Sequence, residues 1–198
     1  MKNKSYQILY IVIIIFASIS CTKSTVDIAS PVENAFKVYK IPKGNHYCNE
    51  STFANLTVSE IEFTVQFDSS AIYTTTDPNN QYDINKLWGF TEGTDNHLNS
   101  ARIGWSFNEK KLRLYGYAYA NGKRNAIEIS SIEINQPIKC GIKVSEGVYI
   151  FTVNGASKFL PRAVVGKYAV GFQQYPYFGG DEPAPHDVTI RIRENVKL

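Results

Sequence analysis

Beyond residue 32, apolar and polar positions alternate with a period of two almost throughout the chain. Ile61, Phe63, Val65 and Phe67 interleave with Glu60, Glu62, Thr64 and Gln66. Ile103, Trp105 and Phe107 interleave with Arg102, Gly104 and Ser106. Leu112, Leu114, Gly116, Ala118 and Ala120 interleave with Arg113, Tyr115, Tyr117 and Tyr119, and Val188, Ile190 and Ile192 with Thr189, Arg191 and Arg193. Side chains two apart on a strand share a face, so this pattern means strands with one buried face. Turn chemistry separates them at Asp77-Pro78-Asn79-Asn80, Asn108-Glu109-Lys110, Asn121-Gly122, Ser145-Glu146-Gly147 and Asn154-Gly155. No segment carries a 3.6-residue apolar stripe with caps. The pattern predicts an all-β fold over residues 33–198, a two-sheet antiparallel β-sandwich of about ten to thirteen strands. Trp105 shares the parity of Ile103 and Phe107 and is predicted buried. Trp88, in KLWGF, fits either the core or the edge of a groove.

The N-terminus breaks the pattern. Lys2 and Lys4 precede an apolar run, Ile8 to Ala17, and then Ser18, Ser20 and Cys21. The run is too short for a stable membrane-spanning helix, and the arrangement is that of a secretory signal. The segment SISC resembles the lipobox of bacterial lipoproteins, with Ser18 where the usual pattern prefers Leu; Bacteroidota lipoproteins use such relaxed boxes. The resemblance implies a signal peptide over residues 1–20, acylation of Cys21, and a polar tether over residues 21–32. It implies an outer membrane lipoprotein on the periplasmic or cell-surface face. Secretion with Cys21 incidental is the plainer alternative.

The formal charge of +3 falls by two, to +1, once Lys2 and Lys4 are removed. So nearly neutral a chain has no general electrostatic attraction for nucleic acid. Tyrosine is abundant, thirteen residues beside eleven Phe and one Met. Tyr packs a ring and keeps a polar tip, which suits sheet faces and wet binding surfaces. An exported compartment permits a disulfide between Cys48 and Cys140; two buried thiols are the other reading.

The segment VYIFTVNGASKFLPR resembles a recurrent piece of concanavalin A-like jelly rolls, in which a strand ending in V-N-G turns back into the next. Laminin G-like, lectin, glycoside hydrolase and polysaccharide lyase domains share that fold. YPYFGGDEPAPHDVTIRI, and DINKLWGF followed by NSARIGWSF, resemble the corresponding strands of Bacteroidota lipoproteins with this fold. That resemblance implies the fold and no particular activity.

Opposite the small apolar face of Leu112 to Ala120 stand Arg113, Tyr115, Tyr117 and Tyr119. Arg102 joins them by parity, and Gln173, Tyr175 and Tyr177 do so if Val170 and Phe172 face the core. In jelly rolls of this class the outer face of a concave sheet holds glycan, so these residues are the candidate ligand-binding set. The bland alternative is that the tyrosines are ordinary strand residues on a convex or covered face. A polysaccharide lyase would use the same groups. Jelly-roll lyases commonly employ Tyr as acid or base, with Arg and Gln against the uronate carboxylate, which implicates Arg102, Gln173 and Tyr175. The Q-I-H motif of the alginate-lyase family is missing. Glu128 and Glu133, in EISSIE, resemble the E-I-D-x-x-E pair of jelly-roll glucanases with Ser130 in place of the Asp, and a bulge near Ser130 would align them. His46, His97 and His186 show no metal-ligand spacing. Related jelly rolls often hold a calcium ion between early backbone carbonyls and an Asp of the last strand, which implies Gly44 and Asp187; otherwise Asp187 pairs with a backbone N–H or a neighbouring cation. The leading expectation is a lipid-anchored envelope protein that binds a polysaccharide or glycan. A lyase is second, and a structural or protein-binding subunit of an envelope complex is third.

Overall fold

The computed structural model describes residues 35–195. The signal peptide, Cys21 and the tether fall outside the described residues. Twelve strands form two antiparallel sheets of six. The first sheet runs β1 (Lys37–Ile41), β12 (Val188–Glu194), β3 (Glu60–Phe67), β8 (Ile138–Ser145), β9 (Val148–Val153) and β10 (Ala156–Pro161). The second runs β2 (Asn55–Val58), β11 (Ala169–Gln174), β4 (Asn85–Thr91), β5 (Ser100–Asn108), β6 (Lys111–Ala120) and β7 (Lys123–Ile132). This is the two-sheet β-sandwich that the alternation predicted, with the jelly-roll fold that the resemblance implied.

The core lies between the sheets. Phe63, Val65, Phe67, Ile190 and Ile192 from the first meet Ile103, Trp105, Leu114 and Ala118 from the second. Trp105 is fully buried against Phe67, Tyr73 and Phe178, at ring centroid distances of 5.4, 5.8 and 6.1 Å. Trp88 is core as well, edge-on to Tyr39 at 5.4 Å. Gly116 is the thin spot of the inner face: a Cβ there would lie 2.9 Å from the Phe151 ring.

The hairpins follow their turn residues. Asn121 and Gly122 both have positive φ, 50° and 76°, as do Asn154 and Gly155, at 46° and 88°. Two consecutive left-handed residues make the turn whose twist matches antiparallel strands. The β6–β7 ladder slips one residue between Leu114 and Tyr115, so Ser130 and Glu128 are their partners. This is the bulge expected near Ser130.

One expectation is corrected. Val170 is 60% exposed rather than core, because Ala169 takes the buried position and the strand changes partners, pairing with β2 through Phe172 and with β4 from Gln173. Cys48 and Cys140 are two buried free thiols, the second of the two readings open to them. The Asp187 carboxylate accepts the Lys43 backbone N–H at 2.9 Å and pairs with Lys40 at 2.7 Å. The Gly44 N–H donates to the Ala184 carbonyl at 2.8 Å. The plainer alternative, a backbone N–H and a neighbouring cation, is what Asp187 adopts.

Candidate functional site

A cleft of about 540 Å³ opens on the outer face of the second sheet. That is within the ordinary range for a small-ligand site, roughly 300–1,000 Å³. Its floor is built by parity. Ala101 and Ile103 point into the core, so Arg102 between them points out, directly opposite Tyr117 on β6. Tyr119, two residues on, faces the same way and meets the Tyr117 ring at 5.9 Å. Lys86 on β4 pairs with Gly104 in the ladder and lies over the Tyr117 ring, Nζ 4.8 Å from its centroid. Arg124 enters from β7, opposite Tyr119.

The segment after β11 closes one side. Tyr177 exchanges both backbone hydrogen bonds with Lys86, at 2.8 and 2.9 Å. Its ring stacks on His46 at 5.4 Å and meets Tyr47 edge-on at 4.9 Å. Gln173 and Tyr175 line the far side. The Gln173 amide donates to the Gly89 carbonyl at 2.8 Å, and the Tyr175 hydroxyl shares a 2.8 Å hydrogen bond with Thr52. Gly89 is required beneath: a Cβ there would collide with the Ala101 carbonyl and the Arg102 backbone.

The electrostatics are unusual for a sheet surface. Arg102 is 5% exposed and its side chain makes no hydrogen bond or ion pair among the described residues; its Nε is buried without a partner. Burial pulls its pKa down, and Tyr117, Tyr119 and Tyr177 only partly offset that. Lys86 is pushed down to about 8, chiefly by burial and then by the charge of Arg102. Burial and the Tyr119 hydrogen bond lift Tyr117 to about 12, so its hydroxyl keeps its proton at neutral pH. An acidic side chain, Asp181, stands at the exposed rim. The floor therefore carries two close cations and no buried carboxylate. Uncompensated buried charge is costly, and a guanidinium presents a planar fork that fits a carboxylate.

Of the expected ligand-binding set, Arg102, Tyr117, Tyr119, Gln173, Tyr175 and Tyr177 come together here, the last three although Val170 does not face the core. Arg113 and Tyr115 do not. Arg113 is claimed by Glu128, at 3.0 Å, and by Glu109, and Tyr115 by a 3.0 Å hydrogen bond to Ser106. The same pairing removes Glu128 as a hydrolytic carboxylate, and neither it nor Glu133 lines the cleft. Sequence reasoning missed Lys86, Arg124 and Tyr47. Arg124 shares the outward parity of Glu128 and was legible; Lys86 was obscured because the β4 register slips immediately after it, between Lys86 and Trp88.

Solved structures of similar fold include polysaccharide lyases. Alginate lyase AlyC3 matches with a TM-score of 0.53 at 12% identity, over 79% of this chain and 72% of that one. An alginate lyase from Pseudomonas aeruginosa matches at 0.51 and 13%, over 82% and 86%. The polysaccharide lyase family 18 protein aly-SJ02 matches at 0.51 and 11%, over 83% and 88%. The chain has the jelly-roll fold of these lyases. No protein-family profile matches the sequence, and no curated protein does. At such identity the likeness is one of fold, and function must be read from the cleft itself.

Proposed function

We propose that this protein binds an acidic polysaccharide, with a uronate carboxylate paired to Arg102 on the cleft floor. One observation carries the reading: Arg102 is a nearly buried cation with no protein partner, beside a second cation, Lys86, and under three tyrosines. A carboxylate would supply the missing partner, and the partly exposed Tyr119 and Tyr177 rings offer apolar edges and hydroxyls to a sugar, whereas Tyr117 is buried beneath Lys86 and serves as floor. The shared fold with alginate lyases agrees with an acidic glycan. Acylated at Cys21, the protein would hold this cleft at the outer membrane on the tether of residues 21–32. Mass spectrometry of membrane-extracted protein tests the anchor; a retained Met1 or an unmodified Cys21 removes it.

Calorimetric titration with alginate oligosaccharides tests the site. Arg102→Gln should weaken binding by at least about tenfold while the melting temperature holds or rises, since a buried unpaired charge is lost. Absence of binding to any uronate oligomer overturns the reading.

A second reading, β-elimination, is favoured by Lys86. With its pKa near 8 it has a neutral amine fraction at physiological pH, next to the guanidinium that would neutralise the uronate carboxylate. The amine would take the C5 proton, the C4–O bond would break as the C4–C5 double bond forms, and a tyrosine hydroxyl would protonate the departing oxygen. Growth of ultraviolet absorbance from the unsaturated product, abolished in Lys86→Met, would make the protein a lyase. Binding with no absorbance change leaves it a binder.

A further inference from the structure

The cleft continues past Gln173 and Gln174. A second hollow of about 620 Å³ lies beside it on the same face, and Ser51, Asn96, Gln173 and Gln174 line both. The chemistry changes across that boundary. The first hollow has Lys86, Arg102 and Arg124; the second has no charged side chain at all. Its walls are hydroxyls and amides around an aromatic pair, Phe53 and Phe172, whose ring centroids are 4.4 Å apart. Phe53 is 80% exposed, a large apolar ring held on a partner ring with its other side open. Single exposed apolar residues are ordinary; one seated on a second ring at the end of a continuous polar groove is a platform.

We propose that the groove selects an acidic heteropolysaccharide in which a uronate adjoins a neutral sugar, the uronate over Arg102 and the neutral unit over Phe53 and Phe172. The proposal rests on the acidic-glycan reading of the first hollow. A second carboxylate placed in the neighbouring hollow would be desolvated against phenylalanine rings with no cation to meet it, which is unfavourable. A neutral pyranose offers the reverse: an apolar C–H face for the rings, and hydroxyls for Thr52, Thr94 and the Gln174 amide. A glycan charged at every unit is therefore penalised where one with alternating charge is not, and specificity arises as much from rejection as from attraction.

The test compares oligosaccharides of equal length by calorimetry. Hyaluronan and chondroitin oligomers alternate a uronate with a neutral N-acetylhexosamine; an alginate oligomer carries a uronate at every position. At least one alternating oligomer should bind about tenfold or more tightly than alginate. Phe53→Ala, at an exposed position, should keep the melting temperature and remove that advantage by weakening the alternating oligomer about tenfold. Equal affinity for alginate, or an alternating-oligomer affinity untouched by Phe53→Ala, overturns the proposal while the acidic-glycan reading stands. If no oligomer binds, or if binding ignores Arg102→Gln, the acidic-glycan reading falls and this proposal with it.

Discussion

Glu92, just past β4 of one sheet, and Arg162, just past β10 of the other, form an ion pair of 2.7 Å with both side chains essentially shut off from solvent. The contact is two-pronged, since Arg162 Nη2 also donates to the second carboxylate oxygen at 2.9 Å. Tyr149 donates its hydroxyl to the same carboxylate at 2.7 Å, and the remaining guanidinium donors reach the carbonyls of Ser145, Gly166 and Tyr168. The pair is thus fully satisfied, and it clamps the two sheets at one end of the sandwich.

Breaking this clamp from one side should be severe. Glu92→Ala strands a buried guanidinium and should cost about 3–5 kcal/mol in urea denaturation. Replacing both partners with apolar residues, Glu92→Leu with Arg162→Met, should recover much of that loss, because no charge is then left without a partner. A double variant as unstable as the single one would mean that the geometry of the clamp, and not its charge, holds the sheets.

Trp105→Ala should cost about 3–5 kcal/mol, the scale for emptying an aromatic site that cannot collapse. The measurement is again the denaturant midpoint. Three rings surround this indole, from β3, from the Tyr73 segment and from Phe178, so no single neighbour can fill the gap.

That burial was legible because apolar and polar residues alternate without interruption over Ser100–Asn108 and β5 pairs with β6 without a register shift. The same regularity placed Arg102, Tyr117 and Tyr119 on one outward face. Parity failed where strands are irregular or where charges find each other. β11 changes partners after Phe172, so Val170 cannot be assigned from its sequence neighbours. A bulge follows Lys86 and hides it. Arg113 has the correct parity, yet Glu109 from the turn and Glu128 from across the strand neutralise it. Cross-strand partners depend on register, which one strand read alone does not contain.

Acid should expose a separate contact. Glu182 accepts the backbone N–H groups of Thr76 and Asp77, each at 2.7 Å, and the Asn80 amide at 2.8 Å. These bonds favour the charged carboxylate and hold its pKa near 2, below the ordinary 4.5. A depressed folded-state pKa gives stability that is present above the unfolded value and is lost as pH falls toward the folded one. Stability should therefore decline between about pH 4.5 and 2, and Glu182→Gln should flatten that part of the profile. An unchanged slope in the variant would assign the acid loss to other carboxylates, such as Asp68 beside Arg191.

Lys86 should give the opposite pH signature, and it bears on the site. Its folded pKa is about 8, below the ordinary 10.5, so between these values the unfolded chain binds more protons than the folded one. Stability should then rise with pH across that window, and Lys86→Met should remove the rise. Ligand binding should run the other way. A uronate near Arg102 gains from a protonated Lys86, so affinity should fall as pH climbs through about 8, and the bound glycan should draw the lysine pKa back upward. The two curves are separable in one protein: thermal melts without glycan follow the first, and titrations across pH 6.5 to 9.5, about 1.5 units to either side of that pKa, follow the second. An affinity flat across pH 8, with the stability rise still present, would place the carboxylate away from Lys86 and leave Arg102 as its sole cationic partner on the floor.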